Sequence, residues 1–345
     1  MKKILSVALV VVMLFAVVAL AGCGKEEAKG DDTSAATLKF GLGVVASYGE
    51  AKATTGEFNT TAVAVLLDAD SKIVAIDLDT AQMKPSWTED GKKVDVTDFR
   101  TKYDKGADYG MAAANIDKNG DGKALEWNAQ ADAFMATAKG KTVAEVKALM
   151  TEDGYTTGDL ATAGCSIHVT DFVAALEKAV ANTVDSSATD KDILKVALVT
   201  SASYSNKDAD AENDGMNQVD TTIVAAVTDA DGKVVVAKTD CVQGKITFNA
   251  KGEATYDAKA EVKTKLELGT SYGMSAAAID KNGDGKALEW NEQAAEFDKL
   301  LVGKTAADFA AFAGADGYPT GDLETAGCSM AVGDMIKAAE IAAAK

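Results

Sequence analysis

The sequence predicts an α+β fold made of two tandem copies of one domain, each an antiparallel sheet followed by helices. Three observations carry that expectation. The chain matches itself over most of its length, the first part of each copy alternates or runs apolar at strand lengths, and the later part changes to helical spacing.

The self-match is long. Tyr109-Gly110-Met111 recurs as Tyr272-Gly273-Met274, and residues 117–128 (Asp-Lys-Asn-Gly-Asp-Gly-Lys-Ala-Leu-Glu-Trp-Asn) recur unchanged as 280–291. Both pairs stand 163 positions apart, 272 minus 109 and 280 minus 117. Gly140-Lys-Thr142 matches Gly303-Lys-Thr305, Thr157-Gly-Asp-Leu160 matches Thr320-Gly-Asp-Leu323, and Thr162-Ala-Gly-Cys-Ser166 matches Thr325-Ala-Gly-Cys-Ser329. Ser47-Tyr48 matches Ser203-Tyr204 at 156 positions, 203 minus 47, so the second copy carries a longer acidic loop over residues 206–220. The copies therefore span residues 38–181 and 193–345, joined by a polar linker at 182–192 with no apolar period.

Strands are expected over residues 38–47, 60–67 and 72–78, with a turn at Asp68-Ala-Asp-Ser71 that becomes Asp229-Ala-Asp-Gly232 in the second copy. Residues 77–96 complete the sheet. Trp127, Ala131, Phe134 and Ala138 then fall on one helical face, as do Trp290, Ala294, Phe297 and Leu301. Thr142-Val-Ala-Glu145 is a capping box opening a helix through Met150. Thr170 or Asp171 is expected to cap the last helix of the first copy, and Asp334 that of the second.

Ahead of the first copy, Lys2 and Lys3 precede an apolar run over residues 4–21 and then Leu20-Ala21-Gly22-Cys23. That order is the layout of a secretory signal. The run is also at the lower limit for a membrane span, and the cysteine decides between the two. Leu-Ala-Gly-Cys resembles the lipobox of bacterial lipoproteins, which implies removal of residues 1–22 and a diacylglycerol on Cys23. Two acyl chains anchor stably, so the expected location is the extracytoplasmic face of the cell membrane. Residues 23–37 read as a lipidated flexible tether reaching roughly 20 Å by random-coil scaling.

Loss of Lys2 and Lys3 with the leader lowers the formal charge from −18 by two, to −20. Such a surface repels phosphate backbones, which argues against nucleic-acid binding. Three cysteines remain besides Cys23: Cys165, Cys241 and Cys328. An odd number is no disulfide framework, and Cys165 and Cys328, at equivalent places, predict two separate buried thiols. His168 is the only histidine, which argues against Ser-His-Asp and Cys-His catalysis and against a multi-histidine metal site. Gly-Lys-Thr occurs twice but lacks the upstream glycine spacing of a phosphate loop.

The turn before each last helix presents a hydroxyl after small residues, Ala163-Gly164-Cys165-Ser166 and Ala326-Gly327-Cys328-Ser329. Packed as a tight turn, it needs no ligand; Gly164 and Gly327 would equally let backbone approach a bulky one. With the hairpin over residues 229–236, Asp240-Cys-Val-Gln243, Tyr-Gly-Met, Glu126-Trp-Asn-Ala-Gln130 and Glu289-Trp-Asn-Glu-Gln293, the repeat resembles the FMN-binding domain of exported flavoprotein lipoproteins. Gram-positive bacteria use these in extracellular electron transfer. In that family an Asp-x-x-Ser-Gly-Ala-Thr motif carries FMN on the threonine, loaded by a flavin transferase from FAD with Mg²⁺. The resemblance implies FMN at Ser166 and Ser329, covalent through serine or noncovalent, near Gly164, Gly327, Cys165, Cys328, Trp127 and Trp290. It implies an electron carrier, more than a turnover catalyst, between a membrane redox donor and an extracellular acceptor. The motif departs in Ala163 and Ala326 for serine, Cys165 and Cys328 for alanine, and Ser166 and Ser329 for threonine; Asp159 and Asp322 lie one position further upstream. Both tryptophans also suit a helix core. The competing class is a non-redox binding or structural surface lipoprotein that keeps the fold without flavin.

A calcium site is expected in each copy. Asp117, Asn119 and Asp121, with Gly122 next, have the alternating oxygen spacing of a calcium loop, and Asp280, Asn282, Asp284 and Gly285 repeat it. Glu126 and Glu289 stand at the tenth position. The same residues suit a solvated turn entering the tryptophan helix.

Overall fold

Three long strands, β1 (Lys39–Lys52), β2 (Thr55–Leu67) and β3 (Ile73–Met83), form an antiparallel meander with β2 central. Two-residue strands β4 (Ser86–Trp87) and β5 (Lys93–Val94) extend it beyond β2, and β6 (Val184–Asp185) pairs with the start of β1. A second antiparallel sheet has the order β7 (Ile193–Ala202), β8 (Gly215–Thr228), β9 (Val234–Phe248). The computed structural model describes residues 37–114, 124–276, 280, 285 and 287–344. The expected leader, the expected lipidation residue Cys23 and nearly all of the expected tether lie outside them, as do Asp117, Asn119, Asp121, Asn282 and Asp284. Among the described residues no helix is long and apolar enough to cross a membrane.

Side-chain alternation along the central strands explains how the sheets are covered. On β2, Ala62, Ala64 and Leu66 meet the other sheet, whereas Val63, Val65 and Leu67 meet helices. On β8, Ile223, Ala225 and Val227 join the core between the sheets, and Val224 and Ala226 face the second set of helices. The order of layers is helix, sheet, sheet, helix. A strand covered on both faces has no water-facing side, which is why Ala62-Val-Ala-Val-Leu-Leu67 is a continuous apolar run. The sheets meet with β1 against β9 and β3 against β7. The Asp77 carboxylate accepts from the Val196 amide at 2.7 Å across that junction.

The helices follow the expected faces. Trp127, Ala131, Phe134 and Ala138 of the Trp127–Ala138 helix are buried, as are Trp290, Ala294, Phe297 and Leu301 of Trp290–Leu301. The Thr170–Ala181 helix crosses β1 where Gly41 and Gly43 stand; a Cβ on Gly43 would lie 2.0 Å from the Ala175 carbonyl oxygen. Both hairpin turns form, with Ser71 and Gly232 at positive φ.

Four expectations need correction. Neither Thr170, Asp171 nor Asp334 caps its helix: Val169 and Val332 hold the cap positions without a side-chain bond, and both are fully buried. Core packing has outweighed the preference for a polar cap; Asp334 instead accepts from the Ser201 hydroxyl at 2.6 Å. The Thr142 capping box is present, yet its helix ends at Lys147, short of Met150, which bridges to Thr156. At the matching place in the second half Thr305 caps a 3₁₀ helix, Ala306–Phe312. Finally, the linker 182–192 is docked, with β6 on β1, the Ser186 hydroxyl on Leu38 O and Ala188 buried between the sheets. The acidic loop is shorter than expected, since residues 215–220 already belong to β8, and it is docked too, through Ala209 N to Gly91 O and Lys93 N to Asp208.

Candidate functional site

Ser166 is placed by the turn that ends the short Gly158–Thr162 helix and begins the Thr170–Ala181 helix. Gly164, at φ 92°, makes the reversal that an L side chain resists, and Gly327 does the same at φ 91°. Cys165 and Cys328 then point into the helical cores and are fully buried. Burial pushes the Cys165 thiol up to about 12 and that of Cys328 to about 11, so both are neutral and unreactive at ordinary pH. They make no bridge.

One buried amide holds each serine. The Gln130 Oε1 accepts from the Ser166 amide at 2.8 Å and lies 3.1 Å from its hydroxyl, while Nε2 donates to Leu125 O and to the Met111 sulfur. Gln293 repeats the arrangement with Ser329 at 2.7 Å and 3.5 Å, with Leu288 O and with the Met274 sulfur. The serine, the methionine of Tyr-Gly-Met and the tryptophan helix are thereby fixed to one another.

Ser166 opens onto a cavity of about 580 Å³ whose walls include Lys102, Tyr109, Met111, Trp127, Ser166 and His168. This size falls within the roughly 300–1,000 Å³ usual for small-molecule sites. The Lys102 ammonium lies 5.2 Å from the centre of the Tyr109 ring and 5.5 Å from that of Trp127. Burial pushes it down to about 8, against the pull of Glu57 and Asp171. Gln82, at the rim, accepts from the Tyr109 hydroxyl and donates to Glu57. The Tyr155 ring stands 3.9 Å from that of His168. In the second half the Lys265 ammonium is 4.8 Å and 5.3 Å from the Tyr272 and Trp290 rings, and Tyr272 bonds to Gln243. The lysine, tyrosine and tryptophan grouping thus recurs in the second half, whereas the position of His168 is taken there by Ala331.

No family model, curated protein or solved structure matches the chain. The site therefore stands on its own geometry.

Of the residues expected there, Ser166 and Trp127 reach the cavity, and Trp127 does so with only 2 % of its surface exposed. Gly164 and Cys165 lie behind it and shape the turn. Sequence reasoning passed over Lys102, Gln82 and Tyr155, with Lys265 and Tyr318 in the second half, and named Gln130, Gln243 and Gln293 only as landmarks of the resemblance. The available signal was their identity between the two halves.

Of the expected calcium ligands, only Asp280, Glu126 and Glu289 are among the described residues. Asp280 accepts from the Gly285 amide at 2.8 Å. Glu126 accepts from Met111 N and Glu289 from Met274 N, each at 2.9 Å, so both glutamates tie the loop to the Tyr-Gly-Met segment. The Ser275 hydroxyl, with the amides of Ser275, Met274 and Trp290, holds the Glu289 carboxyl below its ordinary range.

Proposed function

We propose that this chain is a membrane-anchored, extracytoplasmic flavin-binding lipoprotein that carries electrons, built by tandem duplication, with FMN attached at Ser166 and Ser329. The observation that carries the reading is the cavity at Ser166. It joins a hydroxyl to an aromatic and cationic wall, and Lys265, Tyr272 and Trp290 repeat the grouping of Lys102, Tyr109 and Trp127 in the second half. The residues suit the group: the serine hydroxyl for its phosphate, and Trp127, Tyr109 and Met111 for a flat apolar ring. Lys102 can favour negative charge on it. FMN, when bound, supplies one- and two-electron chemistry. Gln130 orients the hydroxyl, and the neutral buried Cys165 leaves the serine as the attachment atom. Lipid on Cys23 keeps the carrier near its membrane donor.

A second reading is favoured by the depth of Trp127 and Trp290, 2 % and 3 % exposed, which act chiefly as core. On that reading the chain is a non-redox surface lipoprotein, possessing the pocket without flavin. Intact mass separates them. Coexpression with a flavin transferase and riboflavin should add one or two FMN-minus-water increments to the mature protein, and Ser166→Ala should remove one. A colourless sample of unchanged mass under those conditions defeats covalent attachment.

A further inference from the structure

A second cavity, of about 340 Å³, lies where β1 of the first half meets β9 of the second, and nothing in the flavin reading uses it. Its walls come from both halves. Leu42, Val44 and Leu266 form the apolar part; Lys178 and Lys238 bring positive charge. Lys178 is already engaged with Glu267 and the Val44 carbonyl. Lys238 has no acid within ion-pair distance among the described residues; the nearby Asp298 carboxyl is tied to Thr239 by its amide and hydroxyl. Asp240, also in the wall, is occupied by Cys241 N and Leu266 N, and burial pushes its carboxyl up to about 7. Asn291 lines the cavity as well, and its Oδ1 is buried without a hydrogen-bond partner.

The matching position of the first half is filled differently. Tyr103 stands 163 positions before Leu266 and donates its hydroxyl to Asp132, where the second half has Ala295. Asp77 stands where the second half has Lys238, and it accepts from Val196 N. One half thus carries a phenol and an acid at this junction, and the other a smaller apolar side chain and an unmatched ammonium.

We propose that the cavity between β1 and β9 binds a small organic monocarboxylate, its apolar body against Leu42, Val44 and Leu266 and its carboxylate on Lys238. An unpaired ammonium beside an apolar wall selects an anion with a hydrophobic part over a neutral molecule of the same shape.

The test uses the mature chain and calorimetric or saturation-transfer NMR titration with benzoate and, as the uncharged comparator, benzamide. Benzoate should bind saturably at one site per chain and more tightly than benzamide. Leu266→Tyr, which installs the side chain of the other half, and Lys238→Met should each weaken it by about tenfold or more. Thermal unfolding checks that both variants fold; if Leu266→Tyr does not, Lys238→Met alone decides. The proposal is overturned if benzoate does not saturate, if benzamide binds equally well, or if folded variants retain the affinity.

Discussion

Gln130 shows how much one amide can hold. Its oxygen takes the Ser166 amide, its nitrogen takes Leu125 O and the Met111 sulfur, and no surface is left to water. Gln130→Leu keeps the volume but strands the Ser166 N–H and the Leu125 carbonyl, and should cost about 2–4 kcal/mol. The denaturation midpoint measures this, and a loss below about 0.5 kcal/mol would mean that water replaces the amide. The sequence made the serine legible because small residues precede it twice and a helix follows. Lys102 was not legible, since a lysine at a helix start ordinarily faces solvent. Its burial arises only when Tyr109 and Trp127 close over it.

At the scale of elements, close contact between the Thr170–Ala181 helix and β1 depends on two missing side chains. Gly43→Ala would drive a methyl into the Ala175 carbonyl and should destabilise by about 3 kcal/mol or more, read as a lower unfolding midpoint, with Gly49→Ala as a milder comparison because its nearest neighbour, the Glu57 Cβ, stands 2.9 Å away. Calcium belongs at this scale too. Calorimetry on chelator-stripped protein should show about two weak sites in the extracellular range, lost in turn by Asp117→Ala and Asp280→Ala. No heat and no thermal shift at millimolar calcium would leave the turn reading. Strands and tryptophan helices were legible because their periods record which faces are covered. The caps at Val169 and Val332 were not, because a core contact with distant residues chose the side chain there. The docked linker was hidden for a related reason: its polar composition carries no trace of the β1 edge it pairs with.

Across the whole molecule, acids buried near the sheets set a pH dependence. Burial raises Asp79 and Asp240 to about 7 and Asp298 to about 6, against an ordinary 3.8. A folded value above the unfolded one favours the protonated, folded state, so this contribution is complete below about pH 4 and is lost as pH rises through 6 and 7. The thermal midpoint should therefore fall between pH 5 and 7.5, and Asp240→Asn, which keeps an acceptor oxygen for Cys241 N and Leu266 N, should flatten part of that fall. A midpoint that climbs across the interval would contradict the assignment. The sequence divided the chain at 182–192, and the described residues instead share one core between the sheets, where Phe40, Phe58 and Leu66 meet Ile223 and Val242. Separated at that point, each half would present a bare apolar sheet to water and would need a second protein to cover it. Covalent connection makes the cover intramolecular, at an effective concentration set by a short segment and independent of expression level. The core between the sheets thereby stays assembled even when no other copy is near.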